Sequence, residues 1–204
     1  MGTARARTYG GTGALLSLIS LFSGPAFPMM AVAGLVLIFI AVREISFAVN
    51  EKRIFDKYLV SFILSVMVFV GYGAIIVITH SFSLATSYGG KGGTDVLFMD
   101  YWIAFIVFAT VEIVSKAYLK TSYLLIAHRT GIKAFGKAGF FYLAGTVMTA
   151  AVVIFFTFIV TATSRAIDTW PLSFVLYLVL LMCGFGILIV AKIYEIMGYF
   201  SLTI

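Results

Sequence analysis

The chain is a succession of long apolar runs joined by short polar connectors, and nothing else limits its possible folds so severely. Residues 29–48 read MMAVAGLVLIFIAVREISFA, and comparable runs occupy 58–79, 138–162 and 172–198. A run of roughly 18 or more apolar residues matches the ~30 Å hydrocarbon core of a bilayer. Inside lipid every backbone N–H and C=O must be satisfied within the segment, so such runs form helices. Only 11% of the residues are charged and 62% are hydrophobic. A water-soluble domain carries about 25% charged residues, so most of this surface has to face lipid. The sequence therefore predicts an all-α integral membrane protein, a single domain over 1–204, with about six transmembrane helices in hairpin pairs.

Taken in order, the helices are expected at about 9–23, 29–48, 58–79, 101–127, 138–162 and 172–198. The first is short. Arg5, Arg7 and a glycine-rich bridge (Gly10, Gly11, Gly13) precede its apolar stretch at 15–22, a pattern shared with signal peptides. Ser23-Gly24-Pro25 is a poor cleavage context, however, and Pro25 and Pro28 stop the helix. Residues 9–23 can either span fully or re-enter. The connector at 50–57 (NEKRIFDK) is short and mixed in charge. Residues 80–100 are the longest polar stretch and include Gly89-Gly90-Lys91-Gly92-Gly93-Thr94. A phosphate-binding loop requires Ser or Thr directly after its lysine; Gly92 follows here and no strand precedes it, so this is a loop. In the fifth helix Gly145 and Thr149 form a small-xxx-small pair suited to close helix packing in lipid.

Basic residues orient such a chain. With six spans, all but Lys91 and Arg165 of the 14 Lys and Arg residues fall on one side. Among them Arg43, Lys52, Arg53, Lys57, Arg129, Lys133 and Lys137 flank the helix ends. This bias places both termini in the cytoplasm and puts Trp102 and Trp170 at the outer interface. The net charge of +6 then serves orientation and contact with anionic lipid rather than nucleic acid. Weak self-similarity is also present: Arg53-x-Phe55-x-Lys57 matches Lys133-x-Phe135-x-Lys137, and the segment Gly34 to Ala41 resembles Gly184 to Ala191. A helical hairpin used more than once would account for both.

Three segments carry a resemblance: Gly-Gly-x-Gly-x-Leu-Leu at 10–16, GLVLIFIAVREIS at 34–46 with the connector that ends in Ile54-Phe55, and TGIKAFGKAGFFYLAG at 130–145. They resemble an archaeal family of multi-pass membrane proteins characterised only as a domain of unknown function. The resemblance implies a cell-membrane location and supplies no activity and no catalytic residues.

Glu112 is the one acid set well inside an apolar run. An intramembrane carboxylate is costly and marks a candidate site. Lys116 stands one turn later in the favourable order, and Lys120 continues the stripe. Two uses are open: a proton- or cation-linked site between helices, or an ion pair near the inner interface with Lys116 snorkelling to the headgroups. Lys192 with Glu195, and Arg43 with Glu44, read as interfacial anchors; Asp100 reads as an N-terminal cap. Cys183 is the single cysteine, and the two histidines, His80 and His128, fall on opposite sides of the membrane. No His/Cys/Asp/Glu spacing suits a metal and no catalytic triad can be assembled, so no cofactor and no enzymatic activity are expected. Two classes remain: a non-catalytic structural or accessory component of a membrane assembly, or a small oligomeric ion or solute transporter or channel using Glu112 and Lys116. The expected partners are the lipid bilayer and other membrane subunits or further copies of the chain.

Overall fold

The structure, a computed structural model, describes residues 2–20, 27–87, 94–162 and 170–202. These residues form six helices and no strand: α1 (Gly2–Ser20), α2 (Phe27–Ala48), α3 (Lys52–Ser87), α4 (Thr94–Thr130), α5 (Lys133–Ala162) and α6 (Trp170–Phe200). Most run longer than their apolar stretches. The basic residues Lys52, Arg53 and Lys57, expected in a connector, lie in the first turns of α3; Lys133 and Lys137 open α5 in the same way. Asp100 lies inside α4 and is not its cap, because the helix begins at Thr94. Pro28 and Pro171 are each the second residue of their helix, where a missing N–H costs nothing. The Gly89–Gly93 stretch, all but the last two residues of the turn expected at Ser164–Pro171, and the Gly24-Pro25 stop lie outside the described residues.

Among the described residues, four helical segments are long and apolar enough to cross a membrane: Met29–Ala48, Lys52–Ile75, Lys133–Phe156 and Phe174–Phe200. α4, at 37 residues, is about 55 Å long at ~1.5 Å per residue; Glu112, Lys116 and Lys120 interrupt its apolar character. α1 begins before its apolar stretch, with Arg5 and Arg7 already helical.

Each helix packs on its neighbours in sequence, and α1 returns to α6, so the six close into a ring. Side-chain size sets how closely each pair approaches. Gly13 of α1 faces Gly34 of α2 so tightly that a Cβ on Gly13 would lie 2.7 Å from the Gly34 carbonyl oxygen. Gly10 lies under the Tyr199 ring and Gly11 against Phe200, which seats α1 on α6. The glycine-rich bridge is thus helical because partners approach on its bare side, and this close packing outweighs the low helix propensity of glycine. α2 and α3 instead meet through rings, Phe39 lying 5.2 Å from Phe55 and 5.1 Å from Phe62. α5 and α6 pair at Gly145 on Leu188 and Gly184 on Thr149. In the resembling segments, Gly34 and Gly184 both mark a close approach to the preceding helix, and Ala41 and Ala191 are both fully buried. The repeat in sequence therefore has a counterpart in packing.

Two tight connectors share one end of the ring. After α2 the chain turns with Asn50 at φ 50°, while the Glu51 N–H donates to Ser46 O and the Asn50 N–H to Phe47 O. This is the pattern that closes a helix on a left-handed residue. Gly131, at φ 73°, follows α4. An ion pair between Glu51 and Arg129 joins the two connectors. The buried core lies at this end, where Ile38, Val42, Ile45, Ile54, Tyr123, Ile126, Phe135 and Tyr199 meet.

Candidate functional site

Several polar residues of this apolar bundle lie buried between helices, among them Ser61, Ser115, Ser122 and Glu195. Between α3 and α4 runs a seam of serines. Ser122 Oγ donates to Ile54 O at 2.9 Å, and Ser115 Oγ reaches Ser61 O at 2.9 Å and Ser65 Oγ at 2.8 Å. Ser115 and Ser122 are one heptad apart on α4, so both face α3, and their small side chains let the backbones approach. At the upper end of the seam Lys116 Nζ stands 2.7 Å from Glu112 Oε1 and 3.3 Å from Ser65 Oγ. Glu112 is the central residue of α4, with equal lengths of helix on either side. Lys116 turns inward to this pair instead of reaching for the helix end. Lys120 takes no part: its amine lies over the Phe140 ring at 5.8 Å.

A second charged cluster forms nearer the connector end. Glu195 of α6 is almost wholly buried. Tyr123 of α4 donates its phenolic O–H to Oε1. Tyr142 of α5 donates to Oε2 at 2.6 Å, and Lys192 Nζ donates to the same oxygen at 2.7 Å. The expectation that Lys192 and Glu195 anchor the interface is therefore corrected: their position near the end of α6 suggested headgroups, but hydroxyls from two other helices close over the carboxylate. A carboxylate tolerates burial when its lone pairs are met in this way. The available sequence signal was the recurrence of tyrosine (Tyr123, Tyr142, Tyr199) at the same level of three helices, interpretable only once the hairpin alignment is known.

The two clusters face a common cavity of about 440 Å³. Phe105, Ala109, Glu112 and Lys116 form its α4 wall, a single face at spacings of three and four residues. α5 contributes Tyr142, Thr146, Thr149, Ala150 and Val153, α6 contributes Leu188 and Lys192, and α1 contributes Ser17. Three charged side chains thus reach the wall, two of them ammonium groups. The Thr149 hydroxyl is buried with no hydrogen bond. Among the described residues no group of His, Cys, Asp and Glu is arranged to hold a metal.

The basic residues expected to orient the chain stand apart from this site. Arg43, Lys52, Arg53, Lys57, Arg129, Lys133 and Lys137 gather around the connectors; Arg43 lies over the Phe47 ring at 5.5 Å and Lys57 over Tyr118 at 5.1 Å.

The family described as "Protein of unknown function (DUF996)" matches residues 30–162, which hold the whole of α4 and both cavity-facing residues of its Glu112–Lys116 pair. The chain belongs to this family. An archaeal relative, the uncharacterized protein MJ1644 of Methanocaldococcus jannaschii, is 28% identical over 200 residues, covering 97% of this chain and 91% of that protein. No solved structure matches the chain. Lys192 and Glu195 lie beyond the matched residues, so the cavity is built partly from outside the family's matching segment.

Proposed function

We propose that the chain is a multi-pass protein of the cell membrane, with about six transmembrane helices and both termini in the cytoplasm, that binds a small polar solute in the cavity and carries it across the bilayer. The role is non-catalytic, and the bilayer and further copies of the chain are its partners. One observation carries this reading: Glu112, Lys116 and Lys192 converge on one cavity in a chain of which only 11% is charged. Ionisable groups in membrane segments are costly and line solute or ion pathways, and a cavity of this size falls within the usual range for small-molecule sites. An accessory role in a larger assembly would use small-residue faces against other chains. Gly145 and Thr149 are instead occupied inside this chain, by Leu188 and Gly184, which favours the solute-binding role.

The test is thermal stabilisation of the purified full chain by a panel of small organic anions, cations and zwitterions, followed by flux of any hit into liposomes. At least one solute class should stabilise the chain, and Glu112→Gln should reduce its flux at least tenfold while leaving the chain folded. Stabilisation by no class, with co-purification of stoichiometric foreign subunits, would overturn the reading in favour of an accessory role.

A further inference from the structure

The end of α4 and the start of α5 carry charge of one sign. No Asp or Glu occurs between Glu112 and Asp168, whereas Lys116, Lys120, Arg129, Lys133, Lys137 and Arg165 all do. Lys116 and Arg129 have carboxylate partners, Glu112 and Glu51. Among the described residues, Lys133 and Lys137 form no ion pair. The other connector lacks this bias, since Glu44, Glu51 and Asp56 stand among Arg43, Lys52, Arg53 and Lys57.

Lys133 and Lys137 are exposed, one turn apart, at the connector end of a groove of about 470 Å³ between α4, α5 and α6. The Lys137 ammonium lies 5.3 Å over the Tyr194 ring of α6, and Phe141 stacks on that ring at 5.5 Å. The amine is thereby held against the groove wall instead of reaching freely into water. Between the two lysines, Gly136 presents no side chain. A Cβ there would rest 3.5 Å from Leu124 and 3.6 Å from Ala127 of α4, so the bare position is part of the groove floor. Away from the connector the lining turns apolar, with Leu124 and Phe140 both exposed. Lys133 and Phe140 lie about 10 Å apart along α5 at ~1.5 Å per residue.

We propose that this groove binds one anionic phospholipid of the cytoplasmic leaflet, its phosphate between Lys133 and Lys137 and the start of a tail on Leu124 and Phe140. The inference uses the topology proposed above and none of the residues of the solute cavity. In that topology the connector end lies at the cytoplasmic headgroups, where basic pockets between helices take up anionic lipid heads. Two ammonium groups without counter-charges suit a phosphate, which they meet as point charges. The apolar half of the groove selects the source of that phosphate. A soluble anion would leave Leu124 and Phe140 bare, and a lipid covers them.

The experiment is native mass spectrometry of the purified full chain in detergent, titrated with phosphatidylglycerol or with phosphatidylcholine bearing the same tails. The first phosphatidylglycerol should bind about thirtyfold more tightly than phosphatidylcholine, the factor that two lysines beside an anionic lipid supply. Lys133→Gln with Lys137→Gln should abolish this preference. Gly136→Leu keeps both charges but fills the floor, and should weaken phosphatidylglycerol binding several-fold. Arg5→Gln with Arg7→Gln removes the same charge from α1 and should change nothing. A preference that survives loss of the two lysines, or that falls equally in the Arg5 and Arg7 variant, would overturn the site in favour of diffuse attraction. Unchanged binding in Gly136→Leu would overturn the groove as its location. Inorganic phosphate binding to the same lysines as tightly as phosphatidylglycerol would overturn the lipid and reassign the groove to a soluble anion.

Discussion

Tyr123 and Glu195, 72 residues apart, share a buried hydrogen bond that ties α4 to α6 across the flank of α5. Phe135 packs beside both residues' helices, 5.8 Å from the Tyr123 ring and 5.1 Å from the Tyr199 ring. The bond thus sits where three helices meet, beneath the cavity floor. Replacing Tyr123 by Phe keeps the ring packing and removes only the donor. A hydrogen bond to a charged group contributes about 1.5–3 kcal/mol, and Tyr123→Phe should destabilise the chain by that amount in equilibrium unfolding from mixed micelles. A change below measurement would mean that Glu195 does not depend on this hydroxyl.

The Lys192–Glu195 pair makes a sharper case. Glu195→Ala leaves the Lys192 ammonium facing the core without its counter-charge, and breaking a buried pair costs about 3–5 kcal/mol. The double variant Glu195→Leu with Lys192→Met removes both charges and should recover the part of that loss due to the unpaired ammonium, because a buried ion pair is often replaceable by apolar residues of similar volume. The Tyr123 and Tyr142 hydroxyls stay without their acceptor. The same unfolding assay measures both. A double variant no more stable than Glu195→Ala would count against the pair as the source of the loss.

What was legible in the sequence, and what was not, follows from how far apart the partners lie. Glu112 stands alone inside an apolar run, so its cost was visible locally, and the i,i+4 step to Lys116 placed the pair on one face before any tertiary contact was known. Glu195 is close to the end of α6, where a carboxylate ordinarily reaches water. Its burial is decided by hydroxyls on α4 and α5, and no local pattern encodes which helices will flank it. The glycines of α1 show the same limit. Gly10, Gly11 and Gly13 weaken an isolated helix, and only the rings of Tyr199 and Phe200 and the backbone of Gly34 reveal why the bare face is needed. The apolar runs themselves announced helices; that α3, α4 and α5 continue past those runs into polar and basic sequence is something apolarity alone does not mark.

The α1–α2 contact is therefore a place where a single methyl group matters. A Cβ on Gly13 would meet the Gly34 carbonyl oxygen at 2.7 Å and Ile38 N at 2.9 Å, both backbone atoms that cannot rotate away. Gly13→Ala should force the helices apart and destabilise the chain by about 1–3 kcal/mol. Gly186 of α6 has no atom within 4 Å of the same position, so Gly186→Ala is the control and should be neutral or stabilising by up to ~1 kcal/mol. Equal effects of the two substitutions would show that α1 does not pack on α2 this closely.

Cys183 offers a test of how α6 meets the membrane. The thiol is exposed on the outer face of the helix, beside the exposed Met182 and Phe185. It lies about 20 Å from the Trp170 end and about 26 Å from the Phe200 end at ~1.5 Å per residue. On the proposed reading that α6 spans the membrane, a side chain that is bare in the isolated chain, apolar in its surroundings and this far from either helix end lies in the hydrocarbon core. A charged reagent does not enter the hydrocarbon core, where an ionised group is costly. A charged, water-soluble maleimide should therefore leave Cys183 unmodified in both sealed and opened membrane vesicles, and should modify it fully once the chain is unfolded in dodecyl sulfate. Rapid modification in intact vesicles would place this face of α6 against water, and the lipid-facing assignment of the helix would fall with it.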